Sequence, residues 1–299
     1  MQKTSGQKII KIAAGIVGLA LVFFFGVWIS RQIYHRPDAE AASASQAEEL
    51  AEAASAPTHT EEELEELYRS IKETALLSGG SEEVIGILSG KDPAGSDGNA
   101  QEPGNGQTEV DFEYLWTVNE DIIAWITIPG TNIDYPVLRH PSNDGYYLNH
   151  NIDGSPGYPG CIYIESLNSA DFTDANTVLY GHNLKAKTMF TELHRFENRD
   201  FFDENDEVII YLPDRELHYQ IFAAHVYDDR HLLYSFDFAD EDIYAGFLQS
   251  IYDIRDMSAN INRDLTVTSQ DRIITMSTCM PNKADAEKRL LVHAVLLQE

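Results

Sequence analysis

A thiol and a guanidinium stand at the ends of two strand-like runs near the end of the chain. The first run, Ile273–Cys279, is apolar and β-branched, and Pro281 and Asn282 stop it. The second run begins at Arg289. A hairpin-like return would bring Cys279 and Arg289 to one edge of a sheet. A thiolate there could attack a carbonyl carbon, and the guanidinium could stabilise the oxyanion that forms.

Cys279 also has a purely structural explanation, because free cysteine is among the most buried residue types. The chain contains two cysteines, Cys161 and Cys279. That number gives no disulfide framework, and the sequence has no Cys-x-x-Cys pattern for zinc. One disulfide between the two is compatible with the count, but it would silence Cys279. We therefore expect both thiols to be free.

A third strand-like run, Asn176–Tyr180, leads into Gly181 and His182. An imidazole at a turn beside glycine can be reached by substrate. A histidine with an ordinary pKa of about 6.5 can carry a proton to a leaving group near neutral pH. The competing candidate is His293, which lies inside the apolar run that begins at Arg289. A histidine in such a run is more often a buried structural residue, so we expect His182 to be the titrating group.

The N-terminal part of the chain predicts a membrane anchor. Residues 12–30 form a 19-residue run without a charge, and basic residues flank it on both sides. A cleaved signal peptide is the alternative, since Ala42-Ser43-Ala44 resembles a cleavage site. Signal-peptide apolar cores are shorter, however, at about 7–15 residues. We expect an uncleaved single-pass anchor within residues 1–36, with a cytoplasmic N-terminus and an extracellular catalytic domain at the cell membrane.

The stretch 37–110 is strongly acidic, with seventeen acidic residues against three basic ones, in a chain of net charge −28. The negative charge argues against nucleic acid as a partner. A stretch of this composition buries little surface, so we predict a solvated, partly helical stalk and linker. Its helical part is predicted over Thr60–Leu77, where Thr60 and Glu63 have the spacing of a capping box.

From Asp111 to the end of the chain, in residues 111–299, strand-like runs alternate with turns that contain Gly, Pro and Asn. We predict strands over 122–128, 133–138, 160–165, 176–180, 207–212, 216–227, 265–267, 272–277 and 289–297. Short helices are predicted over 112–118 and 189–196, and an amphipathic helix over 240–257. Many short strands with few helices indicate a mainly β fold with added helices, closed or nearly closed into a barrel.

Three segments of the chain resemble the signature segments of class B sortases, the membrane-anchored cysteine transpeptidases of Gram-positive bacteria. They are Tyr180-Gly181-His182-Asn183, Ser277-Thr278-Cys279 and Arg289–Ala294. The resemblance covers roughly residues 111–297 and includes Thr131–Pro136 and Tyr146–His150. It implies a sortase-type closed β-barrel of about eight strands. The sequence shows no compelling cage of acidic ligands, and scattered Asp residues are more typical of turns, so we expect no metal and no cofactor.

The resemblance also implies roles for individual residues. Cys279 would be the nucleophile that cuts a C-terminal sorting motif after its threonine and holds the fragment as a thioester. An amine of a peptidoglycan cross-bridge, or a pilin lysine, would resolve the thioester. His182 would be the general acid, and Arg289 would bind the oxyanion or the backbone of the motif. The residues that would line the substrate groove are Tyr180, Ser277, Thr278 and Leu148. Plain packing explains each of those four equally well.

Two other functions fit the same residues. A cysteine hydrolase would use the same thiol with water as the acceptor. A non-enzymatic, membrane-tethered binding module would keep Cys279 as a structural residue. A transpeptidase forms an amide with an added amine, whereas a hydrolase releases the free acid, so the product separates these two functions. Rapid reaction of Cys279 with a thiol reagent, sensitive to substitution of His182, separates the second.

Overall fold

The computed structural model describes residues 59–78 and 109–298 of the chain. In these ranges no helix combines the length and the apolar character that a membrane crossing needs. The anchor predicted within residues 1–36 lies outside the described residues. The helices are α1 (Glu61–Ser78), α2 (Phe112–Val118), α3 (Arg199–Glu204), α4 (Leu232–Ser235) and α5 (Glu241–Tyr252), with 3-10 turns at Tyr146–Leu148, Thr191–Glu197 and Lys283–Asp285.

The strands form one sheet that closes on itself. They are β1 (Ile122–Thr127), β2 (Asp134–Leu138), β3 (Ile162–Ile164), β4 (Asn176–Tyr180), β5 (Glu207–Tyr211), β6 (Glu216–Asp228), β7 (Asn260–Ile261), β8 (Ile273–Cys279) and β9 (Lys288–Gln298). Their order is β5-β1-β2-β3-β4-β8-β9-β6-β7, and β5 also pairs with β6. The β5–β6 pairing closes eight strands into a barrel, as the sequence predicted, with β7 added at the edge of β6.

Both faces of β8 are buried as far as Thr278, and the strand accordingly contains no charged residue. Ile274 and Met276 pack in the core of the barrel. Ile273 lies on the other face, in a second core under α5. A strand that is buried on both faces does not show the alternation of apolar and polar residues that is typical of a half-exposed strand. Strands β4 and β9 flank β8, in parallel and antiparallel pairing respectively.

Helix α1 forms as predicted but packs against the barrel. Thr60 and Glu63 make the capping box, with a 2.8 Å bond from the Thr60 N–H to the Glu63 carboxylate and a 3.2 Å bond from the Glu63 N–H to the Thr60 hydroxyl. The apolar side of the helix is buried at Leu64, Tyr68, Ile71 and Ala75. The prediction that residues 37–110 bury little surface is therefore wrong for α1. Its acidic residues lie on the exposed side. The acidic composition of the whole stretch therefore gave too low an expectation of buried surface for this helix.

Two smaller predictions differ from the structure in the segment between β6 and β8. Residues 265–267 form no strand. The Leu265 carbonyl accepts a 2.7 Å bond from the Tyr252 hydroxyl, and Val267 packs in the second core beside α5. Helix α5 is shorter than predicted. Asp240 is its N-cap, accepting from the backbone N–H groups of residues 242 and 243, and the helix ends at Tyr252.

The buried side of α1 gives a test of its attachment to the barrel. Ile71 is 1% exposed in the same core cluster as the barrel strands. We expect Ile71→Ala to lower the free energy of unfolding by about 2–5 kcal/mol, because it removes packed methyl groups and leaves a cavity. Glu73 is exposed on the same helix and is the matched control. Urea unfolding of the full chain that gives equal stabilities for Ile71→Ala and Glu73→Ala would contradict the buried position.

Candidate active site

The pairing of β8 with β9 brings the thiol and the guanidinium together. Cys279 and Arg289 are direct partners in the antiparallel register. Cys279 is the last residue of β8 and is exposed, whereas the six residues before it are buried. The hairpin-like return predicted from the sequence is therefore confirmed, and it leaves the thiol at an open rim of the barrel.

The pairing of β4 with β8 brings His182 to the same rim. Tyr180 is the parallel partner of Ser277, and the N–H of Gly181 donates to the Ser277 carbonyl at 3.2 Å. Position 181 has no room for a side chain, because a Cβ added there would lie 2.7 Å from the ring of Phe190. The chain can thus leave β4 close to Phe190 and carry His182 over the end of the barrel.

A backbone carbonyl and an aromatic ring hold the His182 imidazole. Its Nε2 lies within hydrogen-bonding distance of the Leu148 carbonyl, which can only accept, so Nε2 carries the proton. The ring of Tyr158 packs edge-on against it, with centroids 5.0 Å apart. Burial lowers the pKa of His182 and outweighs the bond to Leu148. The imidazole is therefore neutral near pH 7, and its Nδ1 has no hydrogen bond within the described residues. Leu148, predicted as an apolar wall, contributes its carbonyl.

Arg289 is half-buried, and backbone carbonyls just before it in the chain hold its guanidinium. Its Nη1 donates to the carbonyls of Ala286 and Lys288, each at 2.9 Å. Burial raises the pKa of the neighbouring Tyr163 phenol, and carboxylates and the Cys279 thiol add to this effect while the Arg289 charge opposes it. Tyr163 is the β3 partner of Tyr180, and the two rings stack with their centroids 5.5 Å apart.

The predicted groove residues on β4 and β8 fall on two different faces. Tyr180 and Ser277 are register partners, and Ser277 shares its face of β8 with Cys279 because side chains alternate along a strand. Thr278 is only 2% exposed and shares the other face with Met276, in the barrel core. Its side chain therefore lies away from the thiol. The hydroxyls of Thr278 and Tyr180 have no hydrogen-bond partner among the described residues.

Sequence reasoning missed three side chains around the Cys279 carbonyl. The amide nitrogen of Asn183 lies 2.9 Å from this oxygen, and Nε2 of His194 lies 3.0 Å from it. Nδ1 of His194 lies 2.7 Å from the carboxylate of Glu197. Burial lowers the pKa of His194, but the bonds to Glu197 and to the Cys279 carbonyl raise it above its usual value. Asn183 stands in the segment Tyr180–Asn183 quoted above, without a role of its own, and the three-residue spacing of His194 and Glu197 is the signal that the sequence offered for the other two.

The other histidine considered as the acid-base group, His293, and the other cysteine, Cys161, are both buried. His293 is 0% exposed, with Nδ1 2.9 Å from the Thr275 hydroxyl and Nε2 3.1 Å from Nε2 of His225. Its prediction as a structural residue is confirmed. Cys161 is a free thiol that is 1% exposed, and burial raises its pKa to about 12. Cys279 is also free and is the exposed thiol. Residues 59–78 and 109–298 contain no group of three or more metal-ligand side chains.

Comparison with known proteins decides the family. The Sortase domain model matches residues 126–297, which is more than half of the chain. The chain belongs to the sortase family. It is 30% identical to sortase B of Listeria monocytogenes over 64% of this chain and 76% of that protein. It is also 30% identical to sortase B of Staphylococcus aureus, over 62% of this chain and 75% of that protein.

A solved structure supports the same assignment. A mutant form of sortase B from Clostridium perfringens matches with a TM-score of 0.59 and 25% identity, over 77% of this chain and 97% of that chain. The resemblance to class B sortases stated from the three motifs is therefore confirmed, and the closed barrel is the fold of that family. This sortase is a cysteine transpeptidase of class B.

The buried histidine pair of this sortase predicts a pH dependence of stability. Burial, with the nearby His225, holds the pKa of His293 well below its ordinary value of about 6.5. The unfolded chain therefore binds more protons than the folded one as the pH falls below about 6.5, so the free energy of unfolding decreases in that range. We expect urea unfolding to show this decrease between pH 7 and pH 5, and a smaller one in His293→Gln. Equal decreases in both proteins would contradict the argument.

Proposed function

We propose that this sortase cleaves a C-terminal sorting motif after threonine and carries the protein as a thioester on Cys279. The observation that carries the proposal is the pairing of Cys279 with Arg289 at a rim that His182 also reaches. Exposure of the Cys279 thiol and burial of Cys161 support the choice of nucleophile. In the family, transpeptidation joins proteins that carry a sorting motif to cell-wall amines, and the finer steps below are specific to this chain.

The first half of the reaction uses the neutral form of His182. The thiol proton moves to Nδ1 of His182, since Nε2 is occupied by its bond to the Leu148 carbonyl. The Cys279 thiolate attacks the carbonyl carbon of the motif threonine, and the C=O bond becomes an oxyanion that the Arg289 guanidinium stabilises. When the tetrahedral intermediate collapses, the C–N bond breaks and Nδ1–H of His182 protonates the leaving amine. The lowered pKa of His182 leaves the imidazole neutral and able to accept a proton before the first transfer, and it makes the imidazolium a stronger acid in the second.

The second half joins the held fragment to an amine. A primary amine attacks the thioester carbonyl and gives up a proton to Nδ1 of His182, and the C–S bond breaks as the amide forms. His182 then returns its proton to the sulfur. An amine of a peptidoglycan cross-bridge and a pilin lysine both have the chemistry that this step needs. Tyr180 and Ser277, on the face of the thiol, would contact the motif, whereas Thr278 would act through packing.

We also propose that residues 1–36 anchor the enzyme in the cell membrane as a single span, with the N-terminus in the cytoplasm. The uncharged run 12–30 and its basic flanks support this topology. The extracellular catalytic domain would then face both the sorting-motif proteins and the cell-wall amines. Recovery of an intact N-terminus from membranes agrees with the anchor, and a mature N-terminus near Ser45 would rule it out.

Single substitutions test the three roles in the full chain. We expect Cys279→Ala to abolish turnover, because no other exposed thiol can form the thioester. His182→Ala should lower kcat by about 10²–10⁴, the usual size of a lost acid-base group. Arg289→Ala should lower it by about 10²–10³, the usual size of a lost oxyanion donor. The measurement is cleavage of a set of short Thr-Gly and Thr-Asn peptides.

Exposed residues of the same types provide the controls for these variants. His218→Ala and Arg255→Ala remove side chains that are 43% and 69% exposed, and both should retain wild-type turnover. Full activity in Cys279→Ala would disprove the nucleophile. Losses in the control variants as large as those in His182→Ala and Arg289→Ala would show that the assay responds to stability rather than to chemistry.

A separate experiment distinguishes amide transfer from hydrolysis. The peptide that the wild-type chain cleaves fastest is incubated with a glycyl peptide or with Nα-acetyl-lysine amide, and the products are identified by mass. We expect the amide with at least one of these amines, because the amine is the stronger nucleophile toward a thioester near neutral pH. The glycyl arm represents a cross-bridge and the lysine arm a pilin. Free acid alone in both arms would favour the hydrolase instead.

A further inference from the structure

The backbone carbonyl of Cys279 receives two side-chain contacts from outside its own strand. Asn183 lies on the loop that follows β4, and His194 lies on the 3-10 turn Thr191–Glu197. The Asn183 amide nitrogen and Nε2 of His194 are 2.9 and 3.0 Å from the oxygen. Cys279 is the last residue of β8, and Pro281 just beyond it has no N–H to extend the pairing. Two side chains, rather than a neighbouring backbone, therefore contact the carbonyl at the end of this strand.

The protonation of His194 determines whether both of its contacts can form. Nδ1 faces the carboxylate of Glu197 at 2.7 Å, and Nε2 faces the Cys279 carbonyl. A carboxylate and a carbonyl can only accept hydrogen bonds, and a neutral imidazole has a single N–H. Both bonds therefore form together only when His194 is an imidazolium. When His194 is neutral, Nε2 can instead accept from the Asn183 amide, 3.0 Å away, and its bond to Cys279 is lost.

We propose that protonated His194, oriented by Glu197 and assisted by Asn183, is a positioning residue that fixes the backbone of Cys279 for attack. This inference rests on the proposed role of Cys279 as the nucleophile. The carbonyl and the Sγ of one residue are separated by few covalent bonds, so fixing the carbonyl restricts where the sulfur can lie.

The charges around His194 are few in the described part of the chain. Its own turn contributes Glu197 to the contact, while Glu192 and Arg195 of that turn pair with each other at 3.6 Å. The loop after β4 presents the neutral amide of Asn183, and β8 presents the Cys279 carbonyl. The carboxylate of Glu197 thus raises the pKa of His194 against the effect of burial, and it can be removed without touching the rim.

The first test replaces His194 with Gln, whose amide keeps a donor but cannot become charged. We expect kcat to fall roughly tenfold to a hundredfold, as displacement of a reacting group usually does, with little change in KM for the peptide. The substrate is the Thr-Gly or Thr-Asn peptide that the wild-type full chain cleaves fastest. Thermal unfolding of each variant is measured in parallel to detect losses that come from stability alone.

The second test shifts the titration of His194 through its partner. In Glu197→Gln the carboxylate that holds the proton is gone, so the imidazolium is lost at a lower pH. We expect the alkaline decline of kcat to begin at lower pH than in the wild type, while activity at pH 6 stays close to the wild-type value. Glu207→Gln is the matched control, because Glu207 lies 3.2 Å from His218, which is at the opposite end of β6 from Tyr227, the partner of Arg289. Its pH profile should not move.

The outcomes separate this inference from the proposed function. Wild-type kcat in His194→Gln, with Cys279→Ala inactive, would overturn the positioning role and leave the nucleophile in place. Turnover by Cys279→Ala would overturn both. Glu197→Gln could instead lose activity in proportion to its fall in melting temperature, with an unshifted pH profile. His194 and Glu197 would then be structural residues, and the proposal would be overturned.

Discussion

The register of three neighbouring strands is the constraint on which the site depends. Strand β8 pairs with β4 on one side and β9 on the other, so that Ser277 faces Tyr180 and Cys279 faces Arg289. Side chains alternate along a strand, and a slip of one residue would exchange its two faces. Cys279 would then turn into the barrel core, and the Thr278 hydroxyl would take its place at the rim. The slip would also separate the Thr275 hydroxyl from Asn176 Oδ1 and His293 Nδ1, which lie 2.8 and 2.9 Å from it, and the loss of these buried contacts opposes the slip.

The sheet alone does not finish the site, because loops supply the groups that hold its reactive side chains. The Leu148 carbonyl fixes the proton on Nε2 of His182. Gly160 lies against this contact, with φ +67, and a Cβ there would be 3.0 Å from the Leu148 oxygen. The hydroxyl of Tyr68 on α1 donates to the Gly160 carbonyl at 3.0 Å. Helix α1 is thus joined through one loop to the imidazole, which gives its packing on the barrel a role in the site.

Much of the fold followed from local patterns. The strands from β1 to β9, other than β7, were anticipated to within a few residues, because runs of β-branched and aromatic residues stop at Gly, Pro and Asn. The capping box of Thr60 and Glu63 located the start of α1. Predictions failed where a distant surface decided the outcome. Val267 was read as part of a strand but is buried beside α5, and the apolar side of α1 became visible as a core face only against the barrel.

By itself, the sequence determined the chemistry available to this sortase: one reactive thiol, an imidazole and a guanidinium, each at the end of a strand. Those assignments depend on residue types and short spacings. The tertiary structure alone decided which groups surround them. The Cys279 carbonyl meets His194 from 85 residues away in the chain and Asn183 from 96. Contacts between segments so far apart leave no local periodicity, because they form only when the closed barrel brings its loops to one rim.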